Sequence, residues 1–118
     1  MEKNLSALGF MSGTSGDGVD SSIINSNGQN NINIKYNRFD HYPASLSKKI
    51  HNLKNRILDI QDLLKYSIEI SKLEREITDF HADIALKISK NFEFELIGFH
   101  GHTIYHDTDI KIYKQIGL

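Results

Sequence analysis

Residues 10–20, FMSGTSGDGVD, bring three glycines, three small hydroxyl side chains and two aspartates together directly after an apolar segment. That segment, residues 5–11, predicts a short buried strand. Residues 19–25 alternate weakly between apolar and polar side chains and predict a second strand. The glycine-rich loop between them, residues 13–20, is therefore either an ordinary flexible hairpin or a loop whose backbone N–H groups close on a phosphate.

The composition of the glycine-rich loop limits the phosphate-binding motifs it can represent. It lacks the lysine of a Walker A loop, and no helix follows it, as a dinucleotide-binding glycine motif requires. Its glycines can expose N–H groups to phosphate oxygens, as anion-binding nests do. Asp17 or Asp20 can hold Mg²⁺ directly or through water, because this ion takes one or two carboxylates and keeps several waters. The glycines are Gly13, Gly16 and Gly18, and the neighbouring hydroxyl groups belong to Ser12, Thr14 and Ser15.

The N-terminal part of the chain predicts a three-stranded antiparallel meander over residues 1–42. Residues 25–31 contain Asn-Gly at their centre, which is the strongest short-range signal for a hairpin. The alternation that starts at Ile32 and runs towards His41 predicts the third strand.

Two helices are predicted within residues 43–93. Pro43 is typical of the start of a helix. Asp59, with Asp62 three residues later, predicts the N-cap of a second helix, and the stripe that follows predicts one helix running unbroken to Asn91. The first helix has Leu46, Ile50, Leu53 and Ile57 on one face, and the stripe of the second is Leu63, Ser67, Ile70, Leu73, Ile77, Phe80, Ile84 and Ile88.

The last part of the chain, residues 94–118, predicts a strand and a loop. Residues 94–99 form an apolar run that breaks at Gly101, and short alternation resumes over residues 110–116. The helices supply the crossover that a parallel strand needs to join the meander. Because the chain ends in what reads as a strand-to-loop transition, we expect 1–118 to be a single, truncated domain.

Composition excludes several classes of function. The chain has 118 residues and a net charge of −1, so it offers no broad basic surface and no nucleic-acid partner is expected. It contains no cysteine, which excludes disulfides and thiolate metal sites and fits the cytoplasm. With no secretory leader and no run of about eighteen apolar residues, neither secretion nor a membrane partner is expected.

Three stretches resemble one family. MSGTSGDGVD, residues 11–20, is similar to the N-terminal signature of the anhydro-N-acetylmuramic acid kinases, members of the sugar kinase/actin/heat-shock ATPase superfamily. IGFHGHTIYH, residues 97–106, resembles the family's strand that ends in a His-Gly-Gln-Thr motif. QIGL, residues 115–118, resembles the start of its Gln-Ile-Gly-Asp segment.

The resemblance implies a fold, an activity and a place in metabolism. The fold is α/β, with two ribonuclease-H-like domains of the actin-like ATPase type and with ATP and the sugar bound between them. The activity cleaves the 1,6-anhydro ring of the muramic sugar with water and transfers the ATP γ-phosphate to O6, with Mg²⁺, during cytoplasmic recycling of cell-wall peptidoglycan. The chain would be the N-terminal domain, which leaves a C-terminal domain or a homodimer as the expected partner.

The resemblance also assigns roles to individual residues. Asp17 and Asp20 would lie nearest the Mg²⁺ ion. No catalytic residue is expected in this chain, because the family's general base comes from a Gly-Asp-Phe-Arg segment beyond Leu118, and the chain alone is expected to be inactive. The implied ATP-binding residues are Gly13, Thr14, Ser15, Gly16, Asp17, Gly18, Val19 and Asp20, and the implied sugar-binding residues are His100, Gly101 and Thr103.

Two residues depart from the family pattern. Gly16 stands where the family usually has a larger residue, which is expected to loosen the loop. His102 replaces the glutamine of the second motif and puts a titratable ring where the family has an amide.

Two other functions compete with the kinase. His100, His102 and His106 form H-x-H-x-x-x-H, and on one strand the first two would point to the same side, as zinc ligands of a metal-dependent hydrolase must. The other alternative is a non-catalytic module that binds a partner through its long helix. The remaining histidines, His41, His51 and His81, are expected on the surface without a special role.

Overall fold

Three antiparallel strands begin the protein in the computed structural model, which describes residues 4–12, 16–107 and 112–116. They are β1 (Leu5–Met11), β2 (Gly18–Ser26) and β3 (Ile32–His41). β1 pairs with β2 from Leu5 opposite Ser26 to Met11 opposite Asp20, and β2 pairs antiparallel with β3. The predicted meander is confirmed.

The structure of the turn between β2 and β3 shows why the Asn-Gly pair predicted a hairpin correctly. The side-chain oxygen of Asn27 accepts hydrogen bonds from the backbone N–H groups of residues 29, 30 and 31. Gly28 follows with φ of 78°, in the left-handed region that glycine reaches at little cost.

A fourth strand completes the main sheet. β4 (Leu96–Phe99) lies parallel to β1, with Leu8 opposite Ile97 and Phe10 opposite Phe99. The strand order is β3-β2-β1-β4, so β1 is an interior strand with an antiparallel neighbour and a parallel one. The predicted parallel strand is confirmed, although it begins at Leu96 rather than at Phe94, whose ring packs against the core instead. A mixed sheet built in this way, with helical crossovers, is the arrangement of an actin-like ATPase half-domain.

Three helices connect β3 to β4, where two were predicted. They are α1 (Ala44–Arg56), α2 (Ile60–Lys65) and α3 (Ser67–Ser89). Asp59 caps α2 as expected, since its side chain accepts from the N–H of Asp62 while the Asp62 carboxylate accepts from the N–H of Asp59.

The prediction of one unbroken helix from Asp59 to Asn91 is wrong. Tyr66 has φ of −103° and ψ of 21°, which leaves the helical region and separates α2 from α3. At this position the ring of Tyr66 packs against the core, and the Arg56 guanidinium lies 4.9 Å from the ring centroid. Tertiary contacts of an aromatic residue thus outweigh the continuous helical periodicity of the sequence.

The core lies between one face of the sheet and helices α1 and α3. Leu8, Phe10, Val19 and Ile23 supply the sheet side. The predicted helical faces supply the other side, and their buried members are Leu46, Ile50, Leu53, Ile57, Ile70, Leu73, Ile77, Ile84 and Ile88. Ser67, at the start of the predicted stripe, is exposed. None of the helices within the described ranges combines the length and apolar content needed to cross a membrane.

The chain changes direction at Gly101, as predicted. Gly101 has φ of 81°, and after it β5 (His102–Asp107) pairs antiparallel with β6 (Ile112–Ile116) in a separate two-stranded sheet. Residues 110–116 were expected to resume alternation, and within the described residues this segment forms β6. β5 packs against α1, so the second sheet lies beside the helices rather than extending the first sheet.

Two histidines lie in the core. His81, on α3, is only 3% exposed, so its expected surface position is wrong, whereas His41 and His51 are exposed as expected. The ring of His81 makes edge contacts with Phe10 and Phe99 at centroid distances of 5.1 Å and 4.6 Å. His81 was misplaced because a histidine on the apolar stripe of a helix carries no sequence signal that distinguishes core from surface.

His102 is fully buried, and neither ring nitrogen has a hydrogen-bond partner among the described residues. Burial, together with the nearby charges of Lys54 and of other histidines, lowers the pKa of His102 from 6.5 to about 4. Burial also lowers the pKa of His81, although its hydrogen bond to the Ile77 carbonyl opposes part of that effect. Both rings are therefore neutral in the folded protein at pH 7.

These depressed pKa values predict acid sensitivity of the fold. Between pH 6.5 and about 4 the unfolded chain binds protons that folded His102 does not, so the free energy of unfolding falls as the pH falls. His102 alone accounts for a loss of about 3 kcal/mol over this interval. Replacing it with the always neutral glutamine, His102→Gln, removes the contribution of His102 and makes the fall in unfolding free energy shallower, as measured by urea unfolding at pH 7, 5.5 and 4. The exposed His41→Gln is the matched control and retains the slope, and identical pH profiles for wild type and His102→Gln would contradict the assignment.

Candidate functional site

The two motifs singled out in the sequence lie next to each other at one edge of the main sheet. β1 and β4 are adjacent and parallel, so the chain leaves both strands at the same edge, through Ser12 and through His100. Gly13, Thr14 and Ser15, which were predicted to bind ATP, lie outside the described residues. Gly16, Asp17, Gly18, Val19 and Asp20 are described and return the chain into β2.

Hydrogen bonds attach the described parts of the glycine-rich loop to three different elements. Before the loop, the hydroxyl of Ser12 donates to the carbonyl of Gly101. At its far side, the hydroxyl of Ser47 on α1 donates to the carbonyl of Gly16 at 2.9 Å. The backbone N–H of Tyr42, at the junction of β3 and α1, donates to the carbonyl of Asp17, also at 2.9 Å.

The backbone conformation at position 16 requires glycine, and the loop is not loosened there. Gly16 has φ of 73°, and a Cβ added there would lie 3.0 Å from the ring of His51 and 3.3 Å from Ile50. Its carbonyl is fixed by Ser47, and the residue is buried. The expected loosening of the loop therefore does not apply at Gly16 itself.

Gly18 is constrained by a close approach of two strands. A Cβ at this position would come within 2.3 Å of the Asp40 carbonyl oxygen and 2.7 Å of the ring of Phe39. Val19, the next residue, is completely buried in the core. These two residues can therefore offer a ligand only backbone groups, and a side chain at Gly18 would disrupt strand pairing before it reached a phosphate.

Asp17 and Asp20 are both exposed at this edge of the sheet. Asp20 lies on the face of the sheet opposite the helices, where it lines an open cavity of about 600 Å³. The bottom of this cavity is bare backbone, because an added Cβ at Gly9 or Gly98 would meet no atom within 4 Å. The other lining residues are Phe10, Met11, Ser22, Phe99 and His100.

The predicted sugar-binding residues occupy the turn that follows β4, residues 100–102, and the start of β5. His100 is exposed at the rim of the cavity, and Gly101 is buried against Ser12. Thr103 pairs with Gln115 through the backbone, and its side chain lies outside the described part of the structure. The structure thus brings His100 and Gly101 to the glycine-rich loop.

The predicted zinc site is not formed by His100 and His102. Gly101 ends the extended backbone between them, so His100 is exposed while the ring of His102 points into the core. The part of the chain that the structure describes contains no group of three or more His, Cys, Asp or Glu side chains placed to hold a metal. The side chain of His106, the third histidine of the pattern, lies outside that part.

Sequence reasoning missed the residues that hold the loop in place. Tyr42 and Ser47 fix its far side, and both precede or open α1, where the sequence indicated only the start of a helix. Tyr42 is 5% exposed, and burial raises the pKa of its hydroxyl, an effect that the nearby hydroxyl of Ser12 partly offsets. The only sequence signal was an aromatic residue directly before Pro43, which is too common to identify such a role.

Comparison with known proteins gives a consistent assignment. The family model described as anhydro-N-acetylmuramic acid kinase matches residues 5–117. A protein of that name from Pelagibacter ubique is 45% identical over 119 residues, which cover 99% of this chain and 32% of the relative. Proteins of the same name from Gloeothece citriformis and Rhizorhabdus wittichii are 34% and 33% identical, covering 84% and 94% of this chain and 25% and 32% of their own lengths.

The chain therefore spans about a third or less of the length of these curated relatives. Within that span, the match includes both motifs and all the strands and helices described above. The chain belongs to the anhydro-N-acetylmuramic acid kinase family.

Proposed function

We propose that this chain provides the phosphate-binding side of an ATP-dependent kinase. That kinase opens the 1,6-anhydro ring of anhydro-N-acetylmuramic acid with water and phosphorylates O6. The observation that carries the proposal is the direct contact between the two motifs, made by Ser12 and Gly101 at the ends of adjacent parallel strands. Ligands of open α/β sheets bind beyond the carboxyl ends of the strands, where both motifs lie. Family membership supports the same chemistry.

Within the loop, backbone groups would bind the phosphates of ATP and carboxylates would bind the Mg²⁺ ion. The backbone N–H groups of the loop before β2 would bind the phosphates. Gly16, at φ of 73°, allows the chain to turn there before Gly18 pairs with β3. Asp17 and Asp20 present exposed carboxylates, the oxygen ligands that Mg²⁺ takes in small number while phosphates and water complete its shell. When bound, the ion would neutralise charge that develops on the transferred phosphoryl group.

The sugar would lie on the His100 side of the same edge. His100 is exposed beside Asp20 around one open cavity, so a sugar held there would be close to the phosphates. Holding two reactants in a fixed geometry is worth several kcal/mol in rate, of order 7–11 in favourable cases. We propose a cytoplasmic role in cell-wall recycling, with residues 1–118 as an N-terminal ribonuclease-H-like domain and a further domain or second subunit closing the site.

The exposed carboxylates of the loop lead us to a prediction about nucleotide binding. Because Asp17 and Asp20 lie on the surface, we expect Asp17→Asn and Asp20→Asn to keep the fold, and each removes one negative charge near the proposed position of the ion. We expect each variant to weaken ATP binding about tenfold in the presence of Mg²⁺, and to change it little in EDTA, as measured by calorimetry.

Asp83→Asn, an exposed aspartate on α3, is the matched control for loss of one negative charge. Equal weakening of ATP binding with and without Mg²⁺ would remove these carboxylates from the metal site. A wild-type chain that binds no ATP at millimolar concentration would refute the proposed phosphate-binding role.

The second prediction concerns turnover. We expect the 118-residue chain alone to form no phosphorylated sugar from ATP and anhydro-N-acetylmuramic acid. The base assigned by the resemblance lies outside these residues, and general-base catalysis contributes about 10²–10⁴-fold. Mass spectrometry of the products tests this, and product that increases in proportion to the purified chain would overturn it. A full-length family member assayed in parallel is the positive control.

A further inference from the structure

We propose that the turn between β2 and β3 is a site of spontaneous deamidation in the folded protein, at which the side-chain amide of Asn27 becomes a carboxylate. The turn lies at the end of the sheet away from the candidate site, because Ser26 pairs with Leu5 at the start of β1. The modification is therefore independent of the proposed function.

The reaction joins two neighbouring groups and uses only water as a co-reactant. The backbone nitrogen of Gly28 attacks the side-chain carbonyl carbon of Asn27, so that a C–N bond forms and a succinimide ring closes. The bond from this carbon to Nδ2 breaks, and Nδ2 leaves as ammonia with the proton from the Gly28 nitrogen. Water then opens the ring at either carbonyl, which leaves aspartate or isoaspartate at position 27. No group is oxidised or reduced.

Backbone donors of the turn surround the oxygen on which negative charge develops during this attack. Oδ1 of Asn27 accepts hydrogen bonds from the N–H groups of Gln29, Asn30 and Asn31, at 3.0, 3.2 and 3.1 Å. Donors that are already in place around a developing oxyanion stabilise the tetrahedral intermediate of acyl transfer. The turn therefore activates the Asn27 amide towards a nucleophile.

The attacking nitrogen is accessible and its proton has an acceptor. Gly28 is exposed, and a Cβ added there would meet no described atom within 4 Å, so no side chain shields the nitrogen. The N–H of Gly28 donates to the hydroxyl oxygen of Ser26 at 2.9 Å. An acceptor within hydrogen-bond reach helps to draw off the proton as the new bond forms, which is how a general base acts.

The two products have different effects on the hairpin. Aspartate keeps the backbone of Asn27 and places a carboxylate oxygen among the three N–H groups, so these hydrogen bonds become charge-assisted and stronger. Isoaspartate carries the main chain through the former side chain, which lengthens the backbone by one methylene group and removes the oxygen from this position. We expect isoaspartate to open the turn and to loosen the pairing of Ser26 with Ile32.

A loosened turn would release an apolar edge strand. β3 is at the edge of the main sheet, and Ile32 and Ile34, which follow the turn, are 68% and 65% exposed. Edge strands with exposed apolar side chains pair with other chains unless the fold prevents it. We therefore expect self-association of the chain that carries isoaspartate, and none of the chain that carries aspartate.

The first experiment follows the native wild-type chain in mildly alkaline buffer made with H₂¹⁸O. Proteolysis and tandem mass spectrometry of samples taken over time locate each converted asparagine. We expect residue 27 to lose its amide, to gain one heavy oxygen atom, and to convert about tenfold or more faster than Asn55 and Asn91. These two asparagines are exposed but precede Arg56 and Phe92, so they are internal controls.

The same chain unfolded in urea tests the contribution of the folded turn. We expect Asn27 to convert at least as fast in the native chain as in urea, because the three N–H groups surround Oδ1 only in the folded state. Slower conversion in the native chain than in urea would overturn the proposal. Equal conversion of Asn27, Asn55 and Asn91 in the native chain would overturn it as well.

A pair of serine variants tests the acceptor of the Gly28 proton. Ser26→Ala removes this acceptor, and we expect it to slow the conversion of Asn27 several-fold. Ser22→Ala, on the same strand, is the matched control, because the Ser22 hydroxyl donates to Asn37 and takes no part in the turn. Equal rates in the two variants would contradict the role assigned to Ser26.

The variant Asn27→Asp separates the effects of the two products. It introduces aspartate directly, and its carboxylate is a poor electrophile, so it forms little isoaspartate. We expect Asn27→Asp to keep the amide-exchange protection of β3 and to remain monomeric throughout an incubation in which the wild-type chain accumulates isoaspartate and self-associates. Loss of the hairpin in freshly prepared Asn27→Asp, or equal self-association of both proteins, would refute the assigned difference between the products.

Discussion

The pairing of β1 with both β2 and β4 is the constraint on which the rest of the structure depends. β1 is antiparallel to β2 through the glycine-rich loop and parallel to β4 through the helical crossover. The loop of the β1–β2 hairpin and the C-terminal end of β4 therefore lie at one edge of the sheet. Leu8 and Phe10, which alternate along β1, form the centre of the core beneath this edge. The residues that build the core and those that build the site consequently lie on the same strand and its extension.

Stability and site geometry are linked through the groups below the loop. Ser12, Tyr42 and His102 are buried polar residues. The Ser12 hydroxyl donates a hydrogen bond to the Gly101 carbonyl. The Tyr42 hydroxyl and both ring nitrogens of His102 have no hydrogen-bond partner among the described residues. Buried polar groups of this kind cost stability, which an all-apolar core would avoid. These three residues lie next to the two motifs, so the cost in stability falls at the candidate site.

Most of the fold follows from sequence patterns because those patterns are local. Period-two alternation, Asn27-Gly28 and the Asp59 cap identified the strands, the turn and the start of α2, and the motifs identified the edge where His100, Gly101 and the glycine-rich loop meet. The errors arose where distant contacts decide. Tyr66 ends α2 because its ring packs elsewhere, and His81 is buried because Phe10 and Phe99 surround it. The roles of Tyr42 and Ser47 depend on which loop comes to lie over α1, and no local pattern of residues encodes that.

The glycines of the main sheet differ in what they permit. The adjacent strand leaves no room for a side chain at Gly18, so the sheet can form there only with glycine. Gly9 and Gly98 meet no such restriction, since the space above them is open. The sheet there presents uncovered peptide groups, and a flat molecule could lie directly on them. Side chains at these two positions would therefore change the depth and outline of the cavity without clashing with the rest of the fold.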